Sequence, residues 1–484
     1  MRKRGVVIMK SLIRQVTMIL IVSMAMLFFV SCKNSSQQLI SNEKLIAVGQ
    51  LTKEDFLSDF DYMIQTMEDT FPYFGVAERK LGVDIRVRGR ETRSIIEKYP
   101  YSLQGFASEL GISLEDMPEL DEHVFWSIIR HEFFSHFIGL AHAYPLNSGL
   151  YDTFQRPYSS SYSTSNNHHA FTNPISQKFY REQEVLFNTL DEEGALFQFI
   201  FRSSPLLQIK DSTVKGEIIE KDRIAYLNVP SFLNFNVNTD TDTLRRFYRD
   251  INEYDHLIID IRDNDGGSPD IWRMFIMKPL WQNRDHMPDM PLYAFYRDSK
   301  LGKSLGEESL KIEAQGSRNI PESDNLLTIS EIIEENHFSH MNEQDVQDLA
   351  YGVRFNTSIS NIQWHHIQQM RFPYIPDTSF DGKVWLLTNG NNYSGAALFA
   401  RHAKEMGFAT LVGEQTGGAY TTSAGMFFAL PNTGIILRWD IDYLTDSEGR
   451  ALNEFPTTPH HLNRPGMDAL ETVLQLIEEE VIDK

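Results

Sequence analysis

Lys383-Val-Trp-Leu-Leu-Thr388, then Asn389-Gly-Asn-Asn-Tyr-Ser394, then Gly395-Ala-Ala-Leu-Phe-Ala400 is the stretch that decides how this chain is read. Its first block is a short apolar run of the kind that forms a buried strand. Its middle block is turn chemistry, asparagine and glycine in close succession. Its last block reads as the opening of a helix. Ser394 therefore sits where a strand hands over to a helix. A serine there can be a helix N-cap. It can also be a nucleophile aimed from the end of a sheet.

Working outward, Leu257-Ile-Ile-Asp-Ile261 is a second buried strand, and it runs through a charged turn into Gly266-Gly267. Paired glycines after a strand allow the backbone to approach a ligand closely and offer it N–H groups. They also make an ordinary tight turn. Arg223 to Val229 reads as a strand and Asp242 to Asn252 as a helix. Strand, helix and buried strand in that order imply an α/β core over residues 222–484. Residues 281–380 are variable in character, with a helical piece at Ile329 to Glu335, and are expected to decorate the core. The chain closes on an amphipathic helix from Ala469 to Ile477.

Upstream, Thr52 and Asp55 form an N-terminal cap signal. Phe56, Phe60, Met63 and Met67 then recur on one helical face. Val124 to Phe137 carries a second helical stripe. Residues 51–150 read as a helical N-terminal domain. Residues 151–221 read as a linker or small mixed region; residues 150–175 are poor in aliphatics, with Tyr158-Ser-Ser-Ser-Tyr-Ser-Thr-Ser165 as a loop.

Composition narrows the partners. The formal net charge of −21 argues against nucleic acid, which is bound through basic patches. The basic residues that do cluster lie at the start: Arg2, Lys3, Arg4, Lys10 and Arg14. An apolar run from Met18 to Val30 follows, too short to span a bilayer but suited to a signal-peptide core. Cys32, the one cysteine of the chain, closes that run and resembles a bacterial lipoprotein processing site. Residues 1–31 are thus expected to be a signal peptide and Cys32 a lipidated residue. Residues 32–50 would be a tether to the membrane, and the location the cell envelope.

Two tempting motifs carry less. His131-Glu-Phe-Phe-Ser-His136 places its histidines five apart, about 140° around a helix, where zinc binding needs them four apart. Glu414-Gln-Thr-Gly-Gly418 lacks the lysine and spacing of a phosphate loop. No metal or cofactor is expected.

The order of these segments resembles the C-terminal-processing, or tail-specific, serine peptidase superfamily, well over 222–480 and loosely before it. The resemblance implies a crotonase-like core of repeating ββα units. It makes Ser394 the nucleophile, with the N–H of Gly395 and that of Gly266 or Gly267 as the oxyanion hole. The lysine base of the better-known bacterial branch has no counterpart, since no lysine lies between Lys404 and Lys484 and Lys404 falls too early. The branch resembling the tricorn core and the interphotoreceptor retinoid-binding protein uses a histidine. Its position matches His142 in Phe137-Ile-Gly-Leu-Ala-His-Ala-Tyr144, with His136 in reserve. That branch also implies a glutamate, matched to Glu454 in Asn453-Glu-Phe-Pro-Thr-Thr-Pro-His-His461. No carboxylate-binding loop of a PDZ domain is evident. The expected function is hydrolysis of peptides or unfolded segments by a serine-type endopeptidase. The alternatives are a non-catalytic binding protein on the same scaffold and, more weakly, an ester hydrolase.

Overall fold

The computed structural model describes residues 51–105, 113–158, 163–189, 214–281, 290–315, 320–357, 375–376, 378, 380–422 and 425–482. The proposed signal peptide, Cys32 and the tether lie outside them. Among the described residues no helix is long and apolar enough to cross a membrane.

The helical region opens with α1 (Lys53–Thr70), whose Thr52 and Asp55 form the reciprocal capping box expected from the sequence. Its stripe of Phe56, Phe60, Met63 and Met67 is fully buried. Helix α2 (Ile85–Lys98) starts at Asp84, which caps the N–H of Val87. Helix α3 (Glu122–Ile128) starts at Asp121 and is shorter than the expected Val124–Phe137. The chain continues as a π-helical segment, Ile129–Phe133, and a 3-10 turn, Phe134–Phe137. Phe60 and Phe125 lock these pieces to α1, Phe60 edge-on to Phe133 at 5.9 Å and Phe125 against Phe56 at 5.2 Å.

Strand β1 (Tyr144–Pro145) leads into α4 (Ser148–Tyr158), α5 (Ser165–Thr172) and α6 (Pro174–Thr189). Most of residues 148–189 is thus helical where a linker or small mixed region was expected, and the loop expected between Tyr158 and Ser165 lies largely outside the described residues. Aromatic rings fill the place of the missing aliphatics: Tyr151 stacks on Tyr180 at 4.3 Å, and Phe154, Tyr158 and Phe171 gather on Phe427.

The core follows as β2 (Lys215–Glu220), β3 (Ile224–Asn228), α7 (Thr239–Asp250) and β4 (His256–Asp260). Next come β5 (Pro291–Arg297), β6 (Leu349–Asn356), β7 (Lys383–Thr388), α8 (Ser394–Glu405) and β8 (Thr410–Gly413). Strands β9 (Met426–Ala429), β10 (Ile436–Trp439), β11 (Tyr443–Thr445) and β12 (His461–Leu462), then α9 (Ala469–Ile482), complete the chain. The main sheet runs β12-β8-β7-β4-β3-β2. Every neighbouring pair is parallel except β2 with β3. The central strands β4, β7 and β8 bury both faces, which explains their continuous apolar runs, whereas the edge strands β2 and β12 are exposed. Leu257 and Ile259 of β4 face the large core, whereas Ile258 joins Trp385, Val473 and Ile477 under α9.

Residues 281–380 do more than decorate. Strands β5 and β6 pair with each other, and β5 pairs with β11, to build a second sheet. A third small sheet joins β1, β10 and β9. One apolar core runs from Phe56 of α1 to Leu452 beyond β11. Polar ties reinforce it. The buried Asp59 of α1 accepts bonds from the N–H groups of Asn432 and Thr433 at 2.9 and 2.8 Å, and Trp439 Nε1 donates to Thr70 Oγ1 at 2.9 Å. The helical region is packed onto the sheets rather than tethered beside them.

Candidate active site

Two turns at the C-terminal ends of β4 and β7 meet to make the site, the usual place for function in a parallel sheet. The asparagines of the opening motif knit them together. Asn389 and Asn391 donate through Nδ2 to Asp263 at 2.9 and 2.7 Å. Asn392 donates to the carbonyl of Ile261. The glycines then let the two backbones touch. A Cβ on Gly395 would lie 2.3 Å from Gly267 O, and one on Gly266 would lie 2.6 Å from Tyr393 O.

Ser394 sits at φ +52°, a left-handed conformation that costs a non-glycine residue about 1–2 kcal/mol. Its own N–H donates to Gly418 O at 2.9 Å, which holds it there. Gly395 follows at the start of α8, where backbone N–H groups lack helical partners and the helix dipole is positive. Neither Gly395 nor Gly267 has an acceptor for its N–H among the described residues. Gly266 differs: its N–H is taken by Asn264 Oδ1 at 2.9 Å. The two glycines after β4 were equivalent in the sequence. The geometry divides them, with Gly266 giving close approach and Gly267 an available donor.

His142 reaches the site by strand pairing. Strand β1 pairs antiparallel with β10 in the register Tyr144↔Arg438. Extended two residues, that register sets residue 142 opposite 440, and Asp440 N–H does donate to Ala141 O at 2.8 Å. His142 Nδ1 lies 2.8 and 3.0 Å from the two carboxylate oxygens of Asp440. A carboxylate only accepts, so Nδ1 carries the proton and Nε2 presents its lone pair. Nε2 is buried and has no partner among the described residues. Burial holds the His142 imidazole below its ordinary range, although the charge of Asp440 opposes this. The ring is therefore neutral at neutral pH, as a base must be.

His142, Ser394, Gly395, Gly266 and Gly267 line one cavity of about 520 Å³. The third expected residue does not join them. Glu454 is bound instead by Arg79, whose Nε and Nη2 lie 2.8 and 2.7 Å from its two oxygens. That arginine also bridges to Asp345, which accepts from Tyr443 of β11, so Arg79 ties both carboxylates to the helical region. The carboxylate against His142 is Asp440, because β10 carries it there in register and Glu454 lies past the next hairpin. His136 lies on the 3-10 turn outside the cavity lining, and Lys404 Nζ donates to Thr458 O at 2.7 Å. Among the described residues no three metal-ligating side chains gather.

Asp440 had a signal in the sequence. Leu437-Arg-Trp-Asp-Ile-Asp-Tyr443 alternates charged and apolar residues in a segment that is otherwise buried. Its second acid, Asp442, is pushed up to about 7 by burial and by the nearby charge of Asp440. Asp442 accepts bonds from Thr421 Oγ1 and from Thr422 N–H and Oγ1, which fixes one wall of the cavity.

Residues 223–462 match a family model described as peptidase family S41. Among curated proteins no relative matches the sequence. Solved structures with a similar fold include a Parabacteroides merdae protein assigned as a peptidase. It is 15% identical with a TM-score of 0.42, over 87% of this chain and 96% of that one. A lipoprotein from Streptococcus agalactiae is 11% identical with a TM-score of 0.39, over 91% and 100%. Mature CPAF is 11% identical with a TM-score of 0.43, over 85% and 92%. Through residues 223–462, this chain belongs to peptidase family S41.

Proposed function

We propose that the chain is a serine-type peptidase that cuts peptides or unfolded segments with Ser394, His142 and Asp440. One observation carries this reading: His142 turns a protonated Nδ1 onto Asp440, keeps its buried Nε2 without a partner among the described residues, Ser394 included, and lines the same cavity as Ser394. In the reaction, Nε2 takes the proton of Ser394 Oγ as the oxygen attacks the peptide carbonyl. The N–H groups of Gly395 and Gly267 receive the oxyanion, each such donor contributing about 3–4 kcal/mol to the transition state. Asp440 stabilises the imidazolium that forms. His142 then returns the proton to the leaving amine, and water releases the acyl group from Ser394 by the same steps in reverse.

We place the protein in the bacterial cell envelope, held by lipid on Cys32. The support is the basic N-terminus, the apolar run Met18 to Val30 and the single cysteine that ends it.

The test is hydrolysis of a reduced, unfolded protein substrate, followed by mass spectrometry of the fragments. Native protein should generate new internal termini that Ser394→Ala and His142→Ala do not. Fragments produced equally by Ser394→Ala would overturn the assignment. No fragments and no labelling by a serine-directed phosphonate, from folded protein, would favour a binding protein on this scaffold.

A further inference from the structure

The cavity has the opposite sign to the protein. The chain carries −21 overall, yet among the described residues the charged side chains on the cavity wall are Arg130, Arg273 and Arg438 against Asp265. Low-dielectric walls of one charge sign focus the field on what enters.

Arg438 stands out among them. It is 9% exposed, on β10, two residues before Asp440. Alternate residues of a strand point to one face, roughly 7 Å apart, so Arg438 shares a face with the carboxylate that holds His142. Its Nη1 donates to Tyr144 Oη at 2.6 Å. Its guanidinium lies 5.2 Å from the ring centre of Phe154, with Tyr144 and Phe427 each at 5.6 Å. A Cβ at position 425 would come within 2.8 Å of Arg438 Nε, so Gly425, at φ +98°, makes its room. That Nε is buried with no acceptor, and no carboxylate lies within 4.0 Å of the guanidinium among the described residues. Tyr144, the three rings and the more distant charge of Asp440 support the guanidinium only in part, and a buried charge with unfilled donors is costly unless a ligand completes it.

We infer that Arg438 is a specificity residue, a carboxylate subsite of the substrate cleft positioned by Tyr144. The inference rests on the peptidase reading for its setting. The carboxylate is either the free C-terminus of a peptide or an acidic side chain near the cut bond; both offer the planar pair of oxygens that a guanidinium binds in fork geometry.

The test uses three pools of N-acetylated decapeptides of otherwise uncharged residues. One ends in a free carboxylate, one in an amide, and one in an amide with a single internal Glu. Charge-assisted pairing should give native protein a kcat/KM about tenfold or more higher on a carboxylate pool than on the plain amide pool. The pool preferred names the source. Arg438→Met should bring the ratio to about one. Tyr144→Phe, which keeps the charge and loosens its orientation, should lower it in part. Equal rates on all pools by native protein, or a preference that survives in Arg438→Met, would overturn the subsite. If Arg438→Met lacks a cooperative melt, an unchanged ratio in Tyr144→Phe overturns it.

Equilibrium binding of the pools to Ser394→Ala separates this from the peptidase reading. Selective carboxylate binding there, lost on adding Arg438→Met, would uphold the subsite even if no pool were hydrolysed.

Discussion

Asp440→Asn is the sharpest perturbation available. It keeps the side-chain volume, and the backbone bond from residue 440 to Ala141 O is untouched. It removes two things at once. The charge of Asp440 supports protonation of a His142 ring that burial otherwise holds down. The two oxygens at 2.8 and 3.0 Å also fix which ring nitrogen is protonated. An asparagine amide can donate to Nδ1 and so favour the tautomer whose Nε2 holds a hydrogen and cannot act as base. In serine triads such a change lowers turnover by about 10⁴-fold, roughly 5.5 kcal/mol in the barrier. Because Arg438 also depresses the same imidazole, we expect a loss of about 10³–10⁴-fold here. The rate of fluorophosphonate labelling reads it without knowledge of the substrate. Thermal melting checks that the variant folds. Glu454→Gln is the matched control, and its labelling rate should stay within about threefold, since Glu454 is engaged by Arg79. Native-like labelling of Asp440→Asn, or a collapse in Glu454→Gln with the fold intact, would refute the assignment.

Other consequences follow from the same geometry. The labelling rate should fall on the acid side as His142 protonates, with a midpoint below the ordinary imidazole value of 6.5 because burial lowers it. Arg438→Met should move that limb to higher pH, since Arg438 opposes protonation. Gly395→Ala would drive a Cβ to within 2.3 Å of Gly267 O; labelling should fall by about 10²–10³-fold as the donor pair is displaced. Asp59→Ala strips the acceptor from three donors on Asn432 and Thr433. Denaturant unfolding should show a loss of about 1–3 kcal/mol.

How much was legible in the sequence depended on whether the signal was local. The strand-turn-serine-helix unit could be read from adjacent residues, and β7 spans the expected Lys383–Thr388. The glycines at 266 and 267 marked close backbone approach, but which N–H is free depends on Asn264, a side-chain choice that spacing does not encode. Helix α3 stops earlier than its apolar stripe because the π segment shifts the phase of the helix at Ile129. Helices α4 and α5 were hidden because aromatic stacking, rather than an aliphatic stripe, buries them. Asp440 meets His142 through a register set almost 300 residues apart, and no local pattern contains such a pairing. Glu454 was suggested by motif resemblance, and the neighbouring Arg79 defines what that carboxylate does in this chain.

The most direct measurement is the site of the covalent adduct. After fluorophosphonate treatment and digestion, the peptide containing Ser394 should carry the phosphonyl mass, with none on Ser394→Ala and strongly slowed addition on His142→Ala. An adduct that persists on Ser394→Ala, or a folded native protein that takes up no probe, would contradict Ser394 as an activated nucleophile.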